Sequence, residues 1–393
     1  MRCGIDASNL RSGGGVQHLL RILENFRYSK GGDTNIIIWG SRALCERVPR
    51  RSGITLTAVP ELDTHPFRRL FWQMRQLPEI ASSACDVLFA PGGLTGNHHI
   101  PNVAMCRNML PFELSEIRRY GASYMLARLL FLRVVQTRTF RRADGVIFLS
   151  DYARERVAAQ IGDIPGKTAL IAHGVEPRFR CEPRRQQPLE KYSPESPFRL
   201  LYVSTVDVYK HQWNVATAVA DLHRKGMPVT LDIVGPAYPP ALRRLNVLLK
   251  KLDPNRAFIQ YCGAVAHSEL HHRFHSADGF VFASTCENMP NILLEAMASG
   301  LPIACSERRP MIDILGEGSV FFDPVRPDSI SRAIAIMVRD REKRTRIAHA
   351  AYERAADNTW GRCAAETFCF LGECAGMNYQ GSSHMRSVDT NEN

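Results

Sequence analysis

Ser284-Thr-Cys-Glu287-Asn-Met-Pro290-Asn291-Ile-Leu-Leu-Glu295-Ala-Met-Ala-Ser-Gly300-Leu-Pro302-Ile-Ala-Cys-Ser306 is the stretch from which the fold of this chain is read. Just before it, Gly279-Phe-Val-Phe-Ala283 is a short apolar run with the length of a buried parallel strand. Pro290 suits the first turn of a helix, where its missing N–H leaves no bond unmade, and Asn291–Ser299 reads as that helix. Gly300 stops it, and Pro302–Cys305 begins the next strand. Glu287 then lies in the loop at the carboxyl end of a strand. Glu295 lies four residues after Asn291, on the same helix face. Ligands of open parallel sheets bind in the crevice outside those strand ends, where two carboxylates accept hydrogen bonds from sugar or ribose hydroxyls. The plainer alternative makes Glu287 a helix cap and Glu295 a solvated helix residue; the pattern alone leaves both open.

Glu287, seven residues, Glu295 and then Ala-Met-Ala-Ser-Gly-Leu-Pro resemble the nucleotide-sugar motif of glycosyltransferase family 4. Pro310-Met-Ile-Asp-Ile-Leu-Gly-Glu-Gly-Ser-Val-Phe-Phe-Asp-Pro324 is similar to the next block of that family. The resemblance covers about residues 1–376 and implies an α/β chain of the GT-B class, two doubly wound Rossmann-like domains facing a central cleft. It implies a retaining, metal-independent transfer of a hexose-type sugar from a UDP- or GDP-sugar to an acceptor hydroxyl, with no cofactor.

The chain has 393 residues, enough for two domains with separate cores. It is 45% hydrophobic and 23% charged, the balance of a soluble globular protein. No run reaches the roughly 18 uncharged apolar residues of a membrane span, and Met-Arg-Cys-Gly-Ile-Asp turns polar too soon for a signal peptide. The 11 cysteines form no Cys-x-x-Cys pair, which fits buried thiols in the cytoplasm better than zinc. Absence of any Asp-x-Asp argues against a metal-bound sugar-nucleotide. Residues 1–180 carry 25 Lys+Arg against 15 Asp+Glu, a net of +10, whereas 181–393 carry 25 against 24, a net of +1. A basic half calls for an anionic partner, membrane phosphate or nucleic acid.

Along the chain, Ile5-Asp6 ends a first strand, and Gly13-Gly14-Gly15 precede an amphipathic helix with Val16, Leu19, Leu20, Leu23 and Phe26 on one stripe. Glycines before a helix let backbone N–H groups approach a phosphate; a flexible loop with no ligand is the alternative. His18 in the third glycine's place weakens a dinucleotide reading. Further strands are expected at Asn35–Trp39, Ile54–Val59, Asp86–Phe89 and Val103–Met105. Arg107-Asn108 follow, where many family members place an active-site His; the resemblance does not carry that role over, and an Arg suits a phosphate or an acidic acceptor. Ile117–Arg142 holds seven Arg and no acid, with Leu126, Leu129, Leu130 and Val134 between them. His65-Pro-Phe-Arg-Arg-Leu-Phe-Trp-Gln-Met-Arg75 is a smaller relative. Arg alternating with large apolar groups suits an anionic bilayer. Arg118, Arg119, Arg128 and Arg133 are the expected contacts, with Phe67, Phe71 and Trp72 entering the interface. A core helix with a basic edge is the alternative, and no recognised motif supports nucleic acid.

Residues 181–198 are polar and proline-rich and read as an exposed linker between domains at 1–180 and 199–356. A helix over 357–376 is expected, from the resemblance, to cross back to the first domain, followed by a polar tail at 377–393. In the second domain the resemblance places Lys210 on the donor diphosphate, with Thr205 where an Arg is usual and His211 where a glycine is usual. It places Gly235 near the nucleotide, the N–H groups of Asn288 and Met289 and of Gly13–Gly15 on the diphosphate, Glu287 on donor hydroxyls, Asn291 beside it and Glu295 on the ribose. The four His of His267–His275 lack the ordered spacing of a metal site. Expected partners are a nucleotide-sugar, a glycan or lipid-linked glycan of surface-polysaccharide assembly and an anionic membrane at the cytoplasmic face. A nucleotide-sugar 2-epimerase and a noncatalytic nucleotide-binding scaffold are the competing readings.

Overall fold

The computed structural model of the chain describes residues 1–11, 13–26, 34–94, 96 and 99–377. Nearly all of the expected tail lies outside them. The described chain forms two compact units. The first comprises Met1–Arg107, Leu132–Ala172 and the chain from Trp360; the second comprises Asn108–Phe131 and His173–Thr359.

The first unit is built on seven strands: β1 (Arg2–Asp6), β2 (Asn35–Gly40), β3 (Ile54–Ala58), β4 (Val87–Ala90), β5 (Asn102–Cys106), β6 (Gly145–Phe148) and β7 (Lys167–Leu170). They pair in parallel in the order β3-β2-β1-β4-β5-β6-β7. The central strands are buried along their whole length, as strands covered on both faces must be. Helix Gly14–Asn25 turns Val16, Leu19, Leu20 and Leu23 inward. Helix Trp360–Cys374 packs in the same unit, with the Trp360 ring edge-on to His18 at 5.6 Å.

The second unit carries β8 (Phe198–Val203), β9 (Val229–Val234), β10 (Ile259–Gly263), β11 (Gly279–Phe282), β12 (Ile303–Ser306) and β13 (Val320–Phe322). Their order is β10-β9-β8-β11-β12-β13, again all parallel. In both sheets the order reverses once, between β1 and β4 and between β8 and β11. Such reversals separate the flanking loops and open a crevice at the strand ends.

Four local expectations are corrected. Helix Asn291–Ala298 begins where expected but ends one residue earlier, and Pro290 is its N-cap rather than part of its first turn. The segment Ile117–Arg142 is not one helix: it breaks into Leu114–Arg118 and Tyr124–Arg142, with Gly121 between them at φ +60°. Trp72 does not face solvent. It is 2% exposed and packs with Trp39, Leu62, Leu77 and Leu88, because helix Pro66–Phe71 runs into a π-turn at Trp72–Gln76. The extra residue of that turn rotates Trp72 and Gln73 inward, and Phe67, Leu70, Phe71 and Met74 remain exposed. Finally, 181–198 is irregular but not a free linker. Cys181 N donates to Ala298 O at 2.9 Å. The fully buried Arg344 guanidinium donates to the Gln186 side chain at 3.3 Å and to the carbonyls of Met337 and Gln187. A buried guanidinium must fill its donors, and this stretch of backbone supplies acceptors.

Candidate functional site

The crevice of the second sheet is bounded by the loop after β8, Ser204–His211, and the loop after β11, Ala283–Pro290. Both are stitched to the core. Tyr202 at the end of β8 is fully buried; its hydroxyl donates to the Lys210 carbonyl and accepts from Ala283 N at 3.3 Å. Thr285 N donates to the Tyr209 carbonyl at 2.9 Å. These bonds bring Lys210 and Glu287, 77 residues apart in sequence, into a direct ion pair. The two side chains are only 10% and 12% exposed, and Lys210 Nζ also lies over the rings of Tyr209 and Phe282 at 4.9 and 5.2 Å. An ammonium has three N–H donors, so the pair leaves donors for an anion while Glu287 keeps acceptor capacity for hydroxyls.

His211, next to Lys210, has a left-handed backbone at φ +52°. That conformation explains why a glycine is usual there. His is among the residues that tolerate it. The ring is buried and bonded to Thr285 Oγ1 at 3.2 Å, and burial, aided by Arg119 and Arg244, pushes its pKa down to about 4. Thr205 is exposed. Gly235 sits against the Ser204 carbonyl so closely that any side chain would collide with it. Gly235 is therefore a packing requirement of the loop. Asn288 is buried, and the Met289 sulfur accepts from His173 N at 3.4 Å.

Beside this pair, helix Asn291–Ala298 carries Glu295, 6% exposed. Its Oε1 lies 3.2 Å from His267 Nε2. Its Oε2 is buried with no hydrogen-bond partner, and so is Asn291 Oδ1. Burial holds the Glu295 carboxyl above the usual carboxylate range, with the His267 hydrogen bond acting against it. Buried acceptors without donors are costly, and two on one helix face make a place for a ligand's hydroxyls. Among the described residues no group of three or more His, Cys, Asp or Glu is placed to hold a metal.

In the first unit, Gly13 opens helix Gly14–Asn25 at φ +69°, with no side-chain cap and no acid in the first turn. Arg107 follows β5, and its Nη1 occupies the space that a Gly15 side chain would need. Arg107 Nε is buried without a partner, and burial alone pulls the guanidinium down to about 10. The glycines and this cation thus form one electropositive spot.

Of the residues expected at a site, the structure brings together Lys210 with Glu287, Asn291 with Glu295 on one helix face, and Gly15 with Arg107. Glu295 is not the solvated helix residue of the plainer reading. Sequence reasoning missed His267, Glu176 and Arg178. The last two lie in Ala172-His-Gly-Val-Glu-Pro-Arg178, a segment that carries no motif of its own in the sequence.

Comparison with known proteins gives the family and the fold. Residues 12–179 match the family described as Glycosyltransferase Family 4, and residues 184–354 match Glycosyl transferases group 1. The O-antigen chain mannosyltransferase B of Escherichia coli is 28% identical over 110 residues, 28% of this chain and 29% of that protein. A GDP-mannose-dependent alpha-(1-6)-phosphatidylinositol monomannoside mannosyltransferase of Mycobacterium tuberculosis is 27% identical over 278 residues, 67% of this chain and 66% of that one. The matches thus span less than two thirds of these relatives' own lengths. Anabaena HepE, solved in complex with UDP and glucose, shares the fold with a TM-score of 0.70 at 15% identity, covering 95% of this chain and 100% of that chain. The fold is GT-B.

Proposed function

Because this chain belongs to glycosyltransferase family 4, we propose that it moves a hexose-type sugar from a UDP- or GDP-sugar to an acceptor hydroxyl, with retention and without a metal. The observation that carries this reading is the Lys210–Glu287 pair at the reversal point of the second sheet, beside the unpartnered Glu295 oxygen. In the reaction the bond from the anomeric carbon to the diphosphate oxygen breaks through an oxocarbenium-like state. A bond to the acceptor oxygen forms on the same face, and the acceptor proton passes to the leaving phosphate. Lys210, oriented by Glu287, offers its remaining N–H groups to the charge growing on the diphosphate. Glu287 takes donor-sugar hydroxyls, and Glu295 takes the ribose. The Asn288 and Met289 backbone and Gly235 border the nucleotide. A donor-by-acceptor screen read by mass tests the reading. Release of free epimerised sugar would support a 2-epimerase, and nucleotide binding without turnover would support a scaffold.

The acceptor we propose is a lipid-linked glycan, held by the first unit. O-antigen and phosphatidylinositol mannoside are named in the two relatives, and the charge of the first half suits phosphate. Arg107 with Gly13–Gly15 would hold an anionic group of a substrate. Arg107→Gln is expected to raise the KM of the anion-bearing substrate about tenfold, as for loss of a charged hydrogen bond. Unchanged kinetics in a folded variant would remove Arg107 from the site.

The membrane surface is redrawn from the expected one. Trp72 is in the core, Arg119 pairs with Glu116 at 2.7 Å, and Arg133 bonds Gln160. What stays open is the stripe Phe67, Leu70, Phe71 and Met74 flanked by Arg68 and Arg75. Tyr124, Leu130, Phe131 and Val134, with Arg128, form a second open stripe on helix Tyr124–Arg142. No helix among the described residues is long and apolar enough to cross a membrane. Each basic residue at an anionic surface contributes about 1 kcal/mol, screened within a Debye length. Sedimentation with phosphatidylglycerol vesicles is therefore expected at low salt, with loss in high salt, on neutral lipid and in Phe67→Ser/Phe71→Ser. Binding indifferent to lipid charge, or none at low salt, would contradict it.

A further inference from the structure

Glu295 is held by a chain of side chains that nothing so far has given a role. Its Oε1 is 3.2 Å from His267 Nε2. On the other side of the ring, His267 Nδ1 is 2.7 Å from Arg178 Nη2. Arg178 in turn pairs with Glu176 at 3.0 Å, and Glu176 Oε1 lies 3.5 Å from the same His267 Nδ1. The Phe179 ring, fully buried, packs against both: its centroid is 5.5 Å from the Arg178 guanidinium carbon and 5.6 Å from the His267 ring.

Donor and acceptor accounting settles the ring's hydrogen. A guanidinium nitrogen only donates. At 2.7 Å it requires a lone pair on Nδ1, so Nδ1 accepts from Arg178 and the ring hydrogen stays on Nε2. Nε2–H then donates to Glu295 Oε1. With Oε1 occupied and the carboxylate plane fixed, Oε2 is the oxygen left buried and bare. Asn291 Oδ1, one helical turn earlier on that face, is bare as well. Two buried acceptors on one helix face with no donor in the chain suit the hydroxyls of one ligand.

We propose that His267, fixed in its Nε2–H tautomer by Arg178, is a positioning residue that aims the free oxygen of Glu295 at the vicinal diol of the nucleoside. This rests on the ribose reading of Glu295. His267 touches no substrate; it acts through the carboxylate, as an orienting partner acts on a ligand side chain.

The test separates the two claims. Calorimetry on the full chain compares UDP and GDP with their 2′,3′-dideoxy counterparts. The wild type is expected to prefer the ribonucleotide about 10- to 100-fold, the range for a charged hydrogen bond. His267→Ala is expected to shrink that preference to about threefold or less, leaving dideoxy affinity unchanged, because an unaimed carboxylate loses only the diol. His267→Gln, whose Nε2 reaches the same place with an N–H, is expected to restore most of the preference. Arg178→Ala frees the other tautomer and should give a value between. If the wild type shows no preference, the ribose reading falls and this proposal with it. If the wild type discriminates and His267→Ala discriminates equally, only the positioning role is overturned. An equal loss of ribo and dideoxy affinity in His267→Ala would make the residue mere packing, which also overturns it.

Discussion

Lys210→Ala is expected to cut turnover about 100- to 1,000-fold, the loss seen when one preorganised donor to developing oxyanion charge is removed. The variant is also expected to melt earlier. A solvated lysine could be lost without harm to the fold, but Lys210 is not solvated. It is buried in an ion pair with Glu287, and removing one partner leaves the other buried and alone. Breaking such a pair costs about 3–5 kcal/mol, with the lower end apt here because both side chains retain some exposure. Two controls separate chemistry from folding. Lys210→Met with Glu287→Gln removes both charges at once and should recover most of the stability without recovering turnover. Thr205→Arg, at an exposed position in the same loop as Lys210, should leave the enzyme active or improve it by adding a cation toward the diphosphate. Single-turnover rates and thermal melts on the same preparations decide the matter. Normal turnover in Lys210→Ala would mean that the diphosphate is held elsewhere.

Glu295→Ala is expected to behave in the opposite way toward stability. Nucleoside diphosphate affinity should fall about 10- to 100-fold, the value of a charged hydrogen bond of about 1.5–3 kcal/mol. The melting temperature should hold or rise. The carboxylate is buried with one oxygen lacking a partner in the chain, a cost to the fold of the kind functional sites retain. The pH dependence carries the same signature. Burial raises this carboxyl above its unfolded value, so the folded chain holds the proton more tightly. That contribution to stability is complete at low pH and is lost as pH climbs through the ordinary carboxylate range and past it. Glu295→Gln should remove this part of the pH dependence from the melt. Calorimetry with UDP and GDP reads the binding; unchanged affinity in a folded variant would sink the ribose assignment.

Where the chain was legible, short apolar runs carried the message. Gly279–Phe282, Val87–Phe89 and Val103–Met105 lie in strands because nothing in them tolerates water, and parallel strands are covered on both faces. The turn at Gly300, at φ +64°, could be read from the residue itself. Trp72 failed because its surroundings spell an amphipathic surface helix, and one π-turn reverses which side an aromatic faces. Residues 181–198 failed because their composition is that of a linker, while their partner, Arg344, lies about 160 residues away, a separation no local pattern encodes. The site shows the same limit. Glu287 and Lys210 were each readable from motif position, and each was assigned to the ligand. That they first bind one another is a property of two loops brought together by the strand order, not of either motif. His267 was seen only as one of four histidines. Its importance comes from Arg178 and Glu295 on either side of the ring, contributed by two other segments.

The central claim is that this chain transfers a sugar from a nucleotide, and its most direct test is a mass-resolved screen of UDP- and GDP-sugars against lipid-diphosphate-linked acceptors. The account predicts that one donor and one acceptor give a product heavier by a single sugar residue, with nucleoside diphosphate released in equal amount and no divalent metal required. Nucleotide bound without any such product, or free sugar released with the acceptor unchanged, would contradict it.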